Sequence, residues 1–430
     1  MAEIAPFRGI RYAVERVGRL EDVVAPPYDV ITPGQRAALV EHNPLNVAEI
    51  DLPEGRDDVK YEYAARLWRQ WRAERILRTD PIPALYLLEE TFMTPLGRPA
   101  IRRGFIGALK LEEFGKTGIR PHERTFAGPK EDRLKLMRAT QANLSQVFAL
   151  YRDPERRLGE TWVGVMRGGV DAEVGARDGR RRMWMVTDSR IIATAEDVLR
   201  GSALTIADGH HRYETAMTYR NERRERGGAA GAEAVMAYLS SMDDPDLTIL
   251  PTHRVVRLGS DADMNAIRRR VEERFDLEPM TRDRPDRWLA DLLSEGSGEP
   301  YQFGLYSREW GWLLATLRSW EEVSPWIDRS KSDAWRRLDV AVLHEVLIDR
   351  LIGVSSAVSG KGTVSYTPDP AQGYAIVRRG DADLFCMVRP PTALRIGDVA
   401  EAGDTMPHKS TYFYPKLLTG LVMRSLDSTP

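Results

Sequence analysis

The chain has 430 residues, of which 42% are hydrophobic and 29% charged, a composition typical of a globular protein with more than one packed lobe. Its formal net charge of −2 gives no overall electrostatic reason to expect a nucleic-acid partner. The single cysteine, Cys386, excludes an internal disulfide and a thiolate zinc site of the structural type. No apolar run approaches the roughly 18–20 residues that span a bilayer, and the first residues lack an apolar signal core, so we expect a cytoplasmic protein without a membrane partner.

The first third of the chain predicts a stiff loop, a helix and a hairpin. Two prolines precede Tyr28 and Asp29 in "VVAPPYDVI", and the loop they stiffen can serve as a structural turn or can hold both side chains at a site. Apolar residues four apart over 59–77 predict an amphipathic helix. The segments "ALYLLEETF" and "RRGFIGALKL" predict paired strands, because proline and glycine mark a turn between them.

The middle of the chain predicts a helix over about 132–140, a strand in "SQVFALY", and then a strand, tight turn, helix and strand over 203–241. The helix in this second group extends from about 210 to 226. Further along, "MNAIRRRVEERFDL" and "LDVAVLHEVLIDRLIG" predict helices, and "YQFGLYS" with "GWLLATL" predicts a hairpin. The segments "TVSYTPD", "GYAIVRRG" and "DLFCMVRPP" predict a late set of strands.

These elements indicate an α+β fold with mixed sheets and packed helices. The predicted divisions are an N-terminal lobe over 1–180, a core over 181–260, and a C-terminal lobe over 261–430 whose last segment returns to the site. No linker of distinct composition marks the boundaries.

The junction in "LTIADGHHRYETA" joins the end of a strand to the start of a helix. The first N–H groups of a helix and its partial positive charge favour an anion, and Gly209 lets the backbone approach one closely. His210, His211 and Arg212 add donors, and Arg212 can contact a phosphate through two nitrogen atoms. Asp208 is a candidate magnesium ligand or general base, and the alternative is that it only caps the helix. The glycine spacing matches neither a P-loop nor a dinucleotide-binding turn.

A second candidate region is "HERTFAGPKEDR". His122 and Glu123 begin it as a HExxH zinc motif would begin, but Phe126 occupies the position of the second histidine, so that motif is absent. Glu123 is a candidate carboxylate base, with Lys130 and Arg133 as anion partners, and the alternative is a solvated charged loop.

Two later segments carry further candidate anion-binding residues. His253 and Arg254 follow a proline turn in "DDPDLTILPTHRVV", where they can contribute to a phosphate site or simply cap a strand. In "MPHKSTYFYPK", Lys409 stands beside Ser410 and Thr411, a combination suited to phosphate, whereas no GxSxG surrounds Ser410 to make it a hydrolase nucleophile. That these segments meet the junction in space is a hypothesis.

The segments "APPYDVI", "HERTFAGPKEDR", "ADGHHRYETA", "DDPDLTILPTHRVV" and "MPHKSTYFYPKL" resemble, in order, the signature segments of the domain of unknown function 1015 (DUF1015) family. The DGHHR turn also resembles the phosphate-binding turn of the ParB/sulfiredoxin-like fold, which includes ParB nucleotide-binding domains, sulfiredoxin and SerK-like free-serine kinases. The resemblance implies such a core, and a kinase that makes O-phosphoserine from free L-serine with pyrophosphate or a nucleotide as donor and Mg²⁺ as cofactor. Sulfiredoxin's catalytic cysteine has no counterpart in the turn.

The resemblance also implies roles for individual residues. Glu123 is the expected general base with Asp29 in reserve, and Asp208 is expected near magnesium or the attacking hydroxyl. The expected catalytic residues are Glu123, Asp208 and His211; the expected phosphate-binding residues are Gly209, His210, His211, Arg212, Arg254, Lys409, Ser410 and Thr411; the expected substrate-binding residues are Tyr28, Asp29, His122 and His253. Two alternatives stay open: a ParB-like nucleotide-dependent binding or regulatory protein, although no segment is typical of a helix-turn-helix, and a phosphatase or phosphodiesterase that uses the same anion site.

Overall fold

A computed structural model of the chain describes residues 2–115, 118–123, 127–176, 178–228, 230–280, 300–354 and 362–427. These residues fall into two units. The first unit comprises Met1–Leu247 with Pro415–Pro430, and the second comprises Thr248–Tyr414. Among the described residues, no helix has both the length and the apolar character needed to cross a bilayer.

The first unit is built on a mixed sheet. Its strands are β1 (Ile4–Ala5), β2 (Ile10–Tyr12), β3 (Leu77–Thr79), β4 (Leu85–Met93), β5 (Pro99–Lys110), β6 (Ile119–Pro121), β7 (Ala142–Asn143), β8 (Val147–Tyr151), β9 (Ala172–Ala176), β10 (Gly179–Val186), β11 (Leu204–Asp208) and β12 (Ala234–Ser241). Within the described residues, nine of them form one sheet in the order β6-β11-β8-β12-β5-β4-β10-β9, with β1 paired to β5. The pairs β6–β11 and β8–β12 are parallel and the others are antiparallel.

Helices cover this sheet because its central strands are apolar on both faces. The helices are α1 (Val14–Val17), α2 (Pro33–His42), α3 (Ala48–Asp51), α4 (Val59–Ala73), α5 (Ala127–Thr140), α6 (Arg157–Val165), α7 (Ser189–Arg200) and α8 (His210–Glu225). All five residues of β8 are buried, as expected for a strand with two covered faces. Helix α8 packs on β8 and β12 and against α5, and α5 packs against α4. A core that includes Tyr213 and Ala216 from α8 fixes the position of the start of this helix.

The second unit has its own sheet and core. Its strands are β13 (Thr248–Leu250), β14 (His253–Leu258), β15 (Phe275–Pro279), β16 (Gln302–Ser307), β17 (Gly311–Leu317), β18 (Gly362–Thr367), β19 (Leu384–Met387) and β20 (Tyr412–Tyr414), and the first unit ends with β21 (Arg424–Ser425). Among the described residues, six form a sheet in the order β15-β17-β16-β19-β14-β18. Its helices are α9 (Met264–Glu272), α10 (Trp320–Val323), α11 (Asp333–Arg336), α12 (Asp339–Ala341) with the π-helical segment Val342–Ile352, α13 (Pro370–Arg379) and α14 (Ala393–Glu401).

The predicted α+β fold is confirmed, and so are the hairpins β4–β5 and β16–β17 and the strand, turn, helix and strand from β11 to β12. The three divisions predicted from the sequence differ from the two units. Strand β10 crosses residue 180 and pairs with β4, and residues after 415 return to the first unit.

One strand prediction was wrong: "GYAIVRRG" belongs to helix α13. The side chain of Asp369 caps this helix by accepting hydrogen bonds from two backbone N–H groups, and Gly380 ends it with φ 88°. Gly373 and Val377, which are four residues apart, form the buried face, and a methyl group at position 373 would lie 2.2 Å from the ring of Phe385. The helix therefore depends on its caps and on close packing, which the short segment of mixed polarity does not reveal.

Candidate active site

The candidate site is at the junction of β11 and α8. The β11–β8 pairing is irregular between Ile206 and Asp208, and Gly209 then takes the left-handed conformation, with φ 84° and ψ 30°. Helix α8 follows directly and continues for 16 residues. A methyl group at position 209 would lie 2.9 Å from the Nε atom of Arg212, so both backbone conformation and space favour glycine. The predicted tight turn is confirmed.

The carboxylate of Asp208 is held between two cations. Lys416 Nζ lies 2.6 Å from one oxygen, and an Arg212 nitrogen lies 2.7 Å from the other. Burial would raise the pKa of Asp208, but Lys416 and Arg212 offset it and hold that pKa well below its ordinary value. No side-chain cap hydrogen bond is present at the start of α8. Asp208 is therefore an ionised anchor for two cations rather than a helix cap.

Arg212 is committed to the protein through two of its three nitrogens. One donates to Asp208 and another donates to the carbonyl oxygen of Gln146. The third, Nε, is buried and has no hydrogen-bond partner within the described part of the chain. This arrangement orients Asp208. It leaves Nε for a ligand, rather than the pair of guanidinium nitrogens that would contact a phosphate together. The predicted contact between Arg212 and a phosphate stays a prediction.

His122 and His210 form a buried pair beside the junction. His210 Nε2 accepts a hydrogen bond from the backbone N–H of His122 at 3.2 Å, and the two ring centroids are 4.6 Å apart. The Nδ1 of His122 contacts the carbonyl oxygen of Ile206 in β11. Burial first, and His122 second, lower the pKa of His210, which keeps that imidazole neutral. The pair joins β6, β11 and α8 at the place where the sequence predicts ligand contacts.

His211 is half-buried and is surrounded by charged side chains. Burial lowers the pKa of His211, Glu214 raises it, and Lys130 lowers it; Asp29 and Glu123 also raise it. Lys130 Nζ is 2.7 Å from a carboxylate oxygen of Glu214. Charges from two other predicted segments, those of Asp29 and Glu123, thus act on His211, and a shared site of the three residues stays a prediction.

Sequence reasoning missed a buried carboxylate, Asp51, at the end of α3. Its backbone oxygen accepts a hydrogen bond from Arg133 at 2.6 Å, and its carboxylate lies 3.4 Å from the same guanidinium. The Arg133 guanidinium is 4.2 Å from the ring centroid of Tyr28, which places the predicted residue Tyr28 in this network. Burial raises the pKa of Asp51, against the opposing effect of Arg133 and Arg212. The segment "AEIDLPEG" has no motif that could have identified Asp51.

Lys416 was also not assigned from the sequence. It lies in "FYPKLL", after the predicted Lys409, Ser410 and Thr411. Its position beside Asp208 depends on the return of the C-terminal segment to the first unit. In the sequence, the only feature that could have pointed to Lys416 was its place in an unusual turn-rich stretch.

The remaining predicted residues belong to the second unit. Arg254 is fully buried, donates to His344 Nε2 at 2.8 Å, and also contacts the backbone oxygen of Thr252. His253 is fully buried and accepts a hydrogen bond from the Val388 N–H. The hypothesis that residues of both units share one site stays a prediction.

Lys409, Ser410 and Thr411 lie in the turn before β20. Lys409 is exposed and has φ 53°, and the buried Ser410 hydroxyl donates to the Pro407 carbonyl oxygen. The predicted phosphate contacts of these residues also stay predictions.

The geometry does not fit the predicted role of Asp208 as a magnesium ligand. Both of its oxygens are paired with cations, and a metal ion would have to displace them. Among the described residues, no group of three or more histidine, cysteine, aspartate or glutamate side chains is arranged to hold a metal. We therefore assign no step to a metal held by Asp208.

Comparisons with known proteins give one family and several distant structures. Solved structures similar to this chain include "Free serine kinase in complex with AMP" (13% identity, TM-score 0.31, covering 70% of this chain and 88% of that one) and "SbnI with C-terminal truncation" from Staphylococcus aureus (11%, 0.35, 76% and 90%). A conserved hypothetical protein from Pyrococcus furiosus is similar at 13% identity and a TM-score of 0.29, covering 71% of this chain and 92% of that one. No curated protein matches the chain in sequence. The sequence profile described as "Protein of unknown function (DUF1015)" matches residues 4–341, and the chain therefore belongs to the DUF1015 family.

Proposed function

We propose that the chain is a phosphotransferase that moves a phosphoryl group to the hydroxyl of a small molecule. The observation that carries this proposal is the junction of β11 and α8, where Asp208 fixes two cations, Lys416 and Arg212, beside the first N–H groups of a 16-residue helix. Phosphoryl transfer needs positioning and stabilisation of charge on the equatorial oxygens, and a helix N-terminus with fixed cations supplies both.

The acceptor in this proposal is free L-serine, and the donor is pyrophosphate or a nucleotide, as the family resemblance implies. The serine hydroxyl oxygen attacks the terminal phosphorus of the donor, a new P–O bond forms, and the bond to the leaving phosphate or nucleotide breaks. The hydroxyl proton passes to a carboxylate. Glu123 is the proposed base with Asp29 as the alternative, because the charges of both act on His211, whereas both oxygens of Asp208 are paired with cations.

The test of the function is direct detection of the product. The full chain is incubated with Mg²⁺ and L-serine and, in separate samples, with pyrophosphate, ATP or ADP, and the products are followed by phosphorus NMR. Formation of O-phosphoserine is expected with at least one donor. Absence of phosphoserine with every donor would contradict the kinase proposal, and free phosphate released without an acceptor would indicate a phosphatase.

The choice of base is tested by amide substitutions. Glu123→Gln should lower turnover about 100-fold or more and change the KM for serine little, because a general base acts in the transition state. Asp29→Asn is the competing variant. Glu222→Gln, on the same helix α8 and paired with Arg138 at the surface, is the matched control that should keep full turnover. Unchanged turnover in folded Glu123→Gln would remove Glu123 from this role.

A further inference from the structure

A small cavity lies beside the junction and is bordered by Arg212 of helix α8. Its volume is about 40 Å³, which is room for one to a few molecules the size of water or for a group of that size. Its polar lining residues are Asp51, Arg133, Asn143, Ser145, Arg212 and Thr215. The rest of its wall is mostly apolar, with Leu136, Met137 and Leu144 among the contributors.

Two charged groups at this cavity have bonding capacity that the protein does not use. The Asp51 carboxylate is buried, and within the described part of the chain its contact is the long one of 3.4 Å with Arg133. Arg133 directs its other donors to Asp132, with Nε at 2.9 Å, and to the backbone oxygen of Asp51. Arg212, which borders the cavity, has its Nε near Gly209, and this Nε is buried without a hydrogen-bond partner among the described residues. A buried, weakly paired carboxylate and a buried unused N–H are costly unless a ligand or water satisfies them.

We propose that this cavity binds the ammonium group of a free α-amino acid, with Asp51 as the charged acceptor. An ammonium group has three donors and the size of a water molecule, so it fits the cavity and satisfies the carboxylate. Ser145 also lines the cavity, and a serine hydroxyl can act as a second acceptor. The Arg212 Nε is a donor, so it suits an oxygen of the same ligand, and an α-amino acid carries oxygen and ammonium side by side.

The location of the cavity connects it to the proposed transfer reaction, on which this inference rests. Arg212 borders the cavity and also lies against Gly209 at the start of α8. An amino acid whose ammonium group occupies the cavity therefore has its remaining atoms next to the helix N-terminus. Asp51 would thus select amino acids over simple alcohols and hydroxy acids and position the hydroxyl.

The first test compares ligands on the unmodified full chain. L-Serine and 3-hydroxypropionate, which is serine without its amine, are titrated by calorimetry in the absence of donor. Serine should bind at least about tenfold more tightly, because only serine supplies an ammonium group for the weakly paired Asp51 carboxylate. Equal affinity for the two compounds, or no measurable serine binding, would overturn the inference, and the cavity would then hold water only. This comparison needs no variant and so does not depend on a variant folding.

The second test uses Asp51→Asn with Asp58→Asn as a matched control. Asp58 is an exposed carboxylate of the same unit that pairs with Lys135 at 2.8 Å. We expect Asp51→Asn to weaken serine binding about tenfold or more and to leave 3-hydroxypropionate unchanged, whereas Asp58→Asn should change neither. Retained preference for serine in Asp51→Asn would overturn the role of Asp51.

Failure of this inference is distinguishable from failure of the proposed function. Phosphoserine formation with no dependence on Asp51 would leave the transferase proposal intact and remove the ammonium site. Serine binding that depends on Asp51, without any phosphoryl transfer, would support the site and reject the transferase. Circular dichroism and a thermal unfolding curve check that each variant is folded, and Asp51→Glu, which keeps the charge, should retain part of the serine preference.

Discussion

Two buried arginines, Arg212 in the first unit and Arg254 in the second, are stabilised in different ways. Arg212 pairs with the Asp208 carboxylate at 2.7 Å, and although burial lowers its pKa, Asp208 and other acids raise it overall. Arg254 has no carboxylate partner in the part of the chain that the structure describes. Burial lowers the pKa of Arg254 to about 10, and its contacts are with neutral groups, among them His344 and the ring of Tyr366 at 5.3 Å.

The difference shows which ionisation state the surroundings of each arginine require. We call the surroundings of Arg212 the first region and those of Arg254 the second. The first region needs an ionised carboxylate, because Asp208 compensates both Arg212 and Lys416. The second needs a neutral histidine, because His344 accepts the Arg254 hydrogen bond and a second positive charge would repel the guanidinium. Removing charge should therefore damage the first region, and adding charge should damage the second.

The largest effect is expected for Asp208→Asn. This change removes the carboxylate that pairs with the buried Arg212 and the half-buried Lys416, and we expect a loss of about 3–5 kcal/mol in the free energy of unfolding. Because the two cations also lose their fixed positions, phosphoryl transfer should fall at least about 100-fold. Urea unfolding of the first unit and the phosphorus NMR assay measure the two effects.

Arg254→Met is the matched comparison. It removes a buried charge that pairs with no carboxylate of the described residues, so the cost comes from unpaired acceptors and should be about 1–3 kcal/mol. A larger loss of stability for Arg254→Met than for Asp208→Asn would reverse the proposed difference between the two regions.

Much of the fold followed from the sequence because local pattern and tertiary structure agree there. Strands such as β8 and β12 are continuous apolar runs between turn signals, and α8 begins directly after a glycine. Helix α13 was misread as a strand because eight residues of mixed polarity do not show a period, and the capping side chain of Asp369 lies just outside the segment.

The site was only partly predictable for a different reason. The DGHHR turn has high local density of ionisable groups, so Asp208 and its neighbours were visible in the sequence. Asp51 and Lys416 reach the same region through long-range packing, of α3 in one case and of the C-terminal segment in the other. A single carboxylate in "AEIDLPEG" carries no local signal of that packing.

A change of pH should test the neutral state of His344, with an effect of intermediate size. Burial and then Arg254 lower the pKa of His344 to about 3, whereas an unfolded histidine titrates near about 6.5. Between these two pKa values the unfolded chain therefore binds more protons than the folded chain. The stability that neutral His344 contributes is complete above about pH 6.5 and is lost as the pH falls towards the pKa of the folded state. Between about pH 7 and pH 5 the loss should be about 2 kcal/mol.

His344→Gln tests this expectation, because glutamine keeps an acceptor for Arg254 and removes the titration. Its unfolding free energy should depend less on pH than that of the unmodified chain, by about 1–2 kcal/mol over the same range. The cost of Asp208→Asn should stay constant there, since Asp208 has its pKa below the ordinary range and remains ionised. An identical pH profile for His344→Gln and the unmodified chain would show that His344 titrates normally.

The smallest effect comes from two glycines with nearly the same backbone conformation. Gly209 has φ 84° and ψ 30°, and Gly353, at the end of the π-helical segment, has φ 87° and ψ 25°. Alanine at either position should cost about 1–2 kcal/mol for the left-handed conformation alone. At position 209 the added methyl group would also lie 2.9 Å from Arg212 Nε, whereas at position 353 it would meet no heavy atom of the described residues within 4 Å. We therefore expect Gly209→Ala to cost about 1 kcal/mol more than Gly353→Ala, because Arg212 must shift.

The same shift should weaken serine binding in Gly209→Ala and leave it unchanged in Gly353→Ala, since Arg212 borders the cavity beside Asp51. Equal stability losses with equal serine affinity would mean that Arg212 adapts without consequence, and its Nε would then have no role in orienting the acceptor.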